Sequence, residues 1–193
     1  MRVVSIGVFT FITILWLGEF IVFRPRHRSR TYEEKRSFSW ISVTIVVSIA
    51  LSVQFTRMDW FVVDAAWRGV FEVTGLTLYA LGITLRYLGS IALGAQFTRN
   101  VSVSVDQPLV SHSVYRSMRH PLYVGLYLLL VAVPVYLGNG LMIVVAGGWM
   151  YLMLRHRIQL EEAKMEEVLG ERYVQWKTTR GKFFPHLRQK TSR

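Results

Sequence analysis

The chain contains no cysteine. That absence excludes a disulfide framework, a thiolate nucleophile and any cysteine-ligated metal or cluster. Also missing are a glycine-rich loop of the soluble nucleotide-binding type, a metal-ligand spacing and a Ser/His/Asp nucleophile arrangement. Neither a Rossmann fold nor a metal site is expected. Acidic residues are scarce, 12 against 23 Lys and Arg, for a net charge of +11. Amphipathic periodicity is scarce too. The hydrophobic residues, 52% of the 193, come in blocks rather than faces, which excludes an ordinary soluble domain.

Five blocks approach the roughly 20 apolar residues that cross a bilayer: about Val3 to Phe23, Phe38 to Phe55, Val70 to Leu93, Leu122 to Leu137 and Leu141 to Leu154. The expected fold is an all-α integral membrane protein of about five transmembrane helices. It forms one membrane domain, with residues 1–93 holding three spans and residues 94–193 holding a loop, a helical hairpin and a C-terminal tail. The last two blocks are short, and only Gly138-Asn139-Gly140 separates them, the composition of a tight turn. Each needs extra length from its flanks or a locally thinned membrane; a re-entrant hairpin is the alternative. The first block is too long for a secretory signal core and runs into Arg24, Pro25, Arg26, His27 and Arg28 rather than a small-residue cleavage site, so a retained anchor is expected.

The positive charges lie beside apolar spans rather than along one soluble face, which argues against nucleic acid as a partner. Arg24, Arg26, Arg28, Arg30, Lys35 and Arg36 separate the first two spans, and Arg155, Arg157 and Lys164 follow the fifth. The turn after the fourth span is uncharged, and in the loop after the second Arg57 and Arg68 are balanced by Asp59 and Asp64. By the positive-inside rule the N-terminus is outside and the C-terminus cytoplasmic.

Under that topology the connection from Gly94 to His120 and the tail from Arg155 onward share the cytoplasmic side, where an aqueous cofactor would bind. Val101 to Val105 alternates with Ser at period two, as an extended segment does, before Asp106-Gln107-Pro108 turns the chain. Pro121 suits the first turn of a helix, which sets His120 at its start, where free N–H groups and the positive dipole end favour an anion. Arg116 and Arg119 add to that field, or are plain positive-inside anchors. Arg157 and Glu161 are spaced i,i+4 and share a helix face directly after an apolar span, with Glu162, Glu166 and Glu167 close behind. Gly170 is placed to stop that helix. Tyr173, Trp176, Phe183 and Phe184 give the basic tail an aromatic side that packs it on the protein, lies at the interface or closes over a site. Glu19 and Arg86 either pair or snorkel.

In these residues the chain resembles the isoprenylcysteine carboxyl methyltransferase family, over about Thr98 to Leu187. The matching pieces are Leu109-Val110, Tyr115, Arg119-His120-Pro121-Leu122-Tyr123-Val124-Gly125, Arg157 with Glu161-Glu162, Gly170 with Tyr173, and Pro185. Gln107 stands where the family commonly has His, and Ser113 where it commonly has a Gly whose freedom at positive φ the turn uses. The resemblance implies a membrane methyltransferase that uses S-adenosylmethionine to esterify the carboxylate of a lipophilic acceptor such as a prenylated cysteine. It implies cofactor contacts from Gln107, Leu109, Val110, Tyr115, His120, Pro121, Leu122, Tyr123 and Glu161, with Arg157 on the acceptor carboxylate and Arg157 and Glu161 as the catalytic pair. The alternatives are a phospholipid-amine or thiol methyltransferase, for which a cationic clamp at Arg157 has no use; a membrane sterol reductase, in which an acidic residue tends to stand at the position of Leu126; and a non-enzymatic scaffold reading anionic lipids.

Overall fold

The computed structural model describes residues 32–94 (backbone only for 32–38) and 108–183, together with residues 7–11, 13, 14, 16 and 18 of a helical N-terminal segment. Every regular element among them is helical: α1 (Tyr32–Arg57), α2 (Ala65–Leu93), a 3-10 turn (Ser113–Arg116), α3 (Pro121–Tyr136), α4 (Gly140–Leu169) and α5 (Glu171–Thr178). The extended segment 101–105 and the turn at 106–107 lie outside the described residues.

Two segments, Ser39–Arg57 and Ala65–Leu93, are long and apolar enough to cross a membrane, and only 22% and 28% of their most apolar windows are buried. A core helix of a soluble protein hides its apolar side chains. Here Val46, Val73 and Val144 stand 66%, 64% and 73% exposed, the surface a lipid solvent accepts. α3 is apolar but has only 16 residues. α4 carries its apolar block as the first part of a continuous 30-residue helix that runs on through Arg157 and Glu161. Helices outlast their apolar blocks because the flanking polar residues are helix-competent, and α4 stops where Gly170 takes φ +53°.

α2 and α3 form the tightest pair. Gly75, Gly82 and Gly89, seven residues apart, put one face of α2 against α3 with almost no side chain between them. A Cβ on Gly75 would stand 2.5 Å from the Tyr136 backbone nitrogen, one on Gly82 2.9 Å from the Gly125 carbonyl oxygen, and one on Gly89 2.9 Å from Leu122 Cδ2. Gly125 answers from the α3 side, its Cβ position 2.7 Å from the Gly82 carbonyl. Small residues bring the backbones this close, as in membrane helix pairs generally. α1, α3 and α4 meet through Ile41, Leu130, Met150 and Leu154, and Trp149 Nε1 on α4 donates to Thr44 Oγ1 on α1 at 3.1 Å.

At one end of the bundle the α1–α2 connection grips the α3–α4 turn. Val63 N donates to Gly138 O and Gly140 N to Phe61 O, both at 2.9 Å, while Asn139 Nδ2 donates to Trp60 O at 3.0 Å. Asn139 Oδ1 caps α4 by accepting from Met142 N at 3.0 Å. Gly138 sits at φ +67°, which makes this turn possible in three residues. The polar residues collect at the opposite end.

Candidate functional site

Pro121 opens α3 as its first helical residue and His120 is the cap, but the imidazole makes no capping bond. It turns to α4 instead. His120 Nε2 lies 2.9 Å from Glu162 Oε1, Arg119 Nη1 reaches the same oxygen at 3.4 Å, and Lys182 Nζ reaches Oε2 at 3.4 Å. Burial alone would raise the carboxyl's pKa; the His120 hydrogen bond and the His120, Arg119 and Lys182 charges outweigh it and bring Glu162 down to about 2.

One turn earlier on α4, Arg157 is 4% exposed and donates from Nε to the Tyr123 hydroxyl at 3.3 Å. That hydroxyl is also within hydrogen-bonding reach of Glu161. The His120 ring tilts against Tyr123 with centroids 5.8 Å apart, so the two clusters touch. Tyr115, buried in the 3-10 turn, has its phenol pKa pushed up by burial first and then by the Glu161 charge, with Arg86 opposing. Glu161 therefore faces Tyr115 and Tyr123, while its neighbour Glu162 faces Arg119 and His120. Successive residues point about 100° apart on a helix.

The tail locks over the loop before α3. Trp176 Nε1 donates to Val110 O at 3.2 Å and to Ser111 Oγ at 3.1 Å. Arg180 lies 4.7 Å over the Trp176 ring and donates from Nε to Tyr115 O at 2.9 Å. Gly181 then pairs in parallel with Met118, Arg119 N donating to Gly181 O at 2.9 Å and Gly181 N to Ser117 O at 3.1 Å. Tyr173 is fully buried and stacked on Trp176, so these aromatics pack the tail onto the protein. Its pKa is raised by burial and then by Glu162.

Of the residues singled out in the sequence, Tyr115, His120, Pro121, Tyr123, Arg157 and Glu161 come together around α3's first turn and α4. Leu109 and Val110 are half-buried beside them, and the Leu122 carbonyl accepts from Arg86 Nη1 at 3.3 Å. Gln107, Glu19, Phe184 and Pro185 lie outside the described residues. Ser113 keeps the turn the sequence put in question by taking φ +53° itself. The sequence did not single out Lys182 or Arg180, and gave Glu162 no role. The one available signal for Glu162 was the Arg119-His120 pair at a dipole end that is already positive, which needs a counter-charge. Nothing in a uniformly basic tail marks Lys182 or Arg180. Three buried polar atoms here, Glu161 Oε2, Arg119 Nε and Tyr173 Oη, have no hydrogen-bond partner among the described residues.

Membrane-length apolar helices with a buried polar cluster at one end define a membrane-embedded helical protein whose site sits at the bundle's end. Residues 75–167 match the model of the isoprenylcysteine carboxyl methyltransferase family. Protein-S-isoprenylcysteine O-methyltransferase B of Arabidopsis thaliana is 31% identical over 104 residues, 53% of this chain and 53% of its own length. The protein-S-isoprenylcysteine O-methyltransferase of Tribolium castaneum is 31% identical over 117 residues, 58% of this chain and 41% of that one. A solved structure of the eukaryotic intramembrane Ras methyltransferase superposes with TM-score 0.65 at 23% identity, over 94% of this chain and 64% of that one, a likeness of fold. The chain spans about half the length of the curated relatives it matches. Over that stretch the chain is similar to the isoprenylcysteine carboxyl methyltransferase family.

Proposed function

We propose that the chain is a five-span membrane methyltransferase that esterifies the carboxylate of a lipophilic acceptor, such as a prenylated cysteine, at the cytoplasmic face. The observation that carries this is Arg157: a guanidinium 4% exposed, one turn beyond the buried Leu154, sharing the Tyr123 hydroxyl with Glu161. A buried arginine at the end of an apolar helix suits planar, bidentate recognition of a carboxylate. The orientation is supported by the two connections paired at one end of the bundle, one uncharged and one with its charges balanced, and by the surplus of Arg and Lys that the sequence holds between the first two apolar blocks and after the fifth.

S-adenosylmethionine, when bound, supplies a methyl group already activated on a sulfonium. The residues present fit it: Glu161 Oε2 is buried without a hydrogen-bond partner among the described residues, which suits a ribose hydroxyl or an ammonium, and Arg119 Nε is a buried donor for a carboxylate. Little acid or base catalysis is required of the protein; alignment and a dry site are. Arg157 holds the acceptor carboxylate and Glu161 holds the cofactor. Leu109, Val110, Tyr115, His120, Pro121, Leu122 and Tyr123 wall the cofactor from water, and Gln107, just before them in the sequence, adds a further polar contact. The exposed apolar helix faces admit the acceptor's lipid tail from the bilayer.

The test gives the purified chain methyl-labelled S-adenosylmethionine with a prenylcysteine analogue and a membrane lipid extract. Base-labile label on the prenylcysteine is the expected product. Base-stable label on a lipid amine or a thiol overturns the carboxyl ester, and no label overturns the enzymatic reading.

A further inference from the structure

Glu162 stands beside the proposed cofactor ligand, yet the chemistry above gives it nothing to do. Its carboxylate is nonetheless the most heavily shared group in the site. Oε1 takes His120 Nε2 at 2.9 Å and Arg119 Nη1 at 3.4 Å from the start of α3, and Oε2 takes Lys182 Nζ at 3.4 Å from the tail. Three segments far apart in sequence meet on one side chain that is itself 12% exposed. An exposed ion pair would carry little meaning. A buried carboxylate with three partners, one of them a histidine ring nitrogen, fixes geometry.

The contacts continue beyond it. His120 packs on Tyr123, and Tyr123 accepts from Arg157 Nε at 3.3 Å. A path of touching groups thus joins the tail to the arginine that would hold the acceptor: Lys182, Glu162, His120, Tyr123, Arg157. We infer that Glu162 is the positioning residue of this site, holding His120 as the tautomer protonated on Nε2 and, through the Tyr123 ring, setting where Arg157 stands. It touches neither cofactor nor acceptor in this role. An imidazole donating from Nε2 leaves Nδ1 as its acceptor, so the carboxylate decides which face of the ring can accept a proton. The catalytic half of the inference rests on the methyl-transfer reading above; the tautomer does not.

The chain in lipid nanodiscs, labelled with 15N histidine, tests both halves. It has five histidines, and the His120 signals are assigned by their loss in His120→Asn. The wild type should show His120 protonated on Nε2. Glu162→Ala should release the ring to exchange between tautomers and slow methyl transfer about 10- to 100-fold, the scale of a small misplacement of reacting groups. Glu162→Gln keeps a carbonyl for Nε2–H to bond, so it should retain the tautomer and recover part of the rate even if its melting temperature falls as far as that of the alanine variant. An Nδ1-protonated His120 in the wild type, or one unchanged in Glu162→Ala, overturns the positioning role. Equal rates for the alanine and glutamine variants reduce Glu162 to a structural ion pair and overturn the catalytic half. A wild type with the expected tautomer that transfers no methyl group sinks the methyltransferase reading and leaves the positioning of His120 standing.

Discussion

Replacing Ser113 with glycine should stabilise the protein. Ser113 is exposed, opens the 3-10 turn that carries Tyr115, and sits at φ +53°. A left-handed backbone costs a non-glycine residue about 1–2 kcal/mol, because its Cβ crowds the following carbonyl. Glycine removes that cost but gives the unfolded chain more freedom, which takes back about 0.4–1 kcal/mol. The net gain is about 0.5–1 kcal/mol, or about 1–4 °C in melting temperature for a chain of this size. No packing is lost, since the side chain is on the surface. Thermal unfolding of Ser113→Gly, Ser113→Ala and Ser113→Val under one detergent condition provides the ladder: glycine above wild type, alanine near it, valine below because a β-branched residue tolerates positive φ worst. Glycine no more stable than alanine would refute the strain argument, since the two differ by the Cβ alone.

The same reasoning about Cβ atoms separates two helical glycines. Gly125→Ala puts its methyl 2.7 Å from the Gly82 carbonyl, which cannot yield, so overpacking of about 1–3 kcal/mol should exceed the helix-propensity gain of about 1 kcal/mol; Gly148→Ala, with nothing within 4 Å, should be neutral or stabilising in the same melting assay. Glu162, with its pKa lowered from 4.5 to about 2, contributes stability that is complete above about pH 4.5 and is lost as the pH falls toward about 2. After solvent screening that is worth about 1–2 kcal/mol. Wild-type melting temperature should therefore fall more steeply than that of Glu162→Gln between pH 5 and pH 3, and parallel curves would assign the acid sensitivity elsewhere. Arg157→Ala should lose about 100-fold or more in transfer while labelled S-adenosylmethionine still binds, with Arg157→Lys between them because an ammonium cannot make the bidentate contact; normal transfer by the alanine variant would remove the arginine from the acceptor site.

The existence of α1 to α4 was legible because apolar blocks of bilayer length have few other uses, while α5, eight mostly polar residues after Gly170, had no such block to show it; three ends were legible because Pro121, Asn139-Gly140 and Gly170 punctuate them. The starts at Tyr32 and Ala65 were not, since polar residues continue a helix as readily as they leave it. At the site, the i,i+4 spacing of Arg157 and Glu161 foretold a shared face, and both do reach Tyr123. The spacing turns Glu162 away from that face without saying what it meets there. That is set by rotation about α4 relative to α3, a tertiary quantity with no local signature. The Gly75, Gly82 and Gly89 series was in plain view at a seven-residue period, but a glycine repeat announces close approach without saying to what.

That glycine series has a consequence for traffic through the bilayer. From Gly75 to Gly89 the seam runs about 20 Å along the helix axis, most of a hydrocarbon thickness. Along it the gap left for even one added carbon is under 3 Å at each glycine. A polymethylene chain is wider than that, so the seam is a shut door: no acyl or prenyl tail slides between α2 and α3. On the proposed reading, a lipid acceptor bound for Arg157 would come round the other sides of α3, and any substitution widening the choice of route must first pry apart two helices packed this closely.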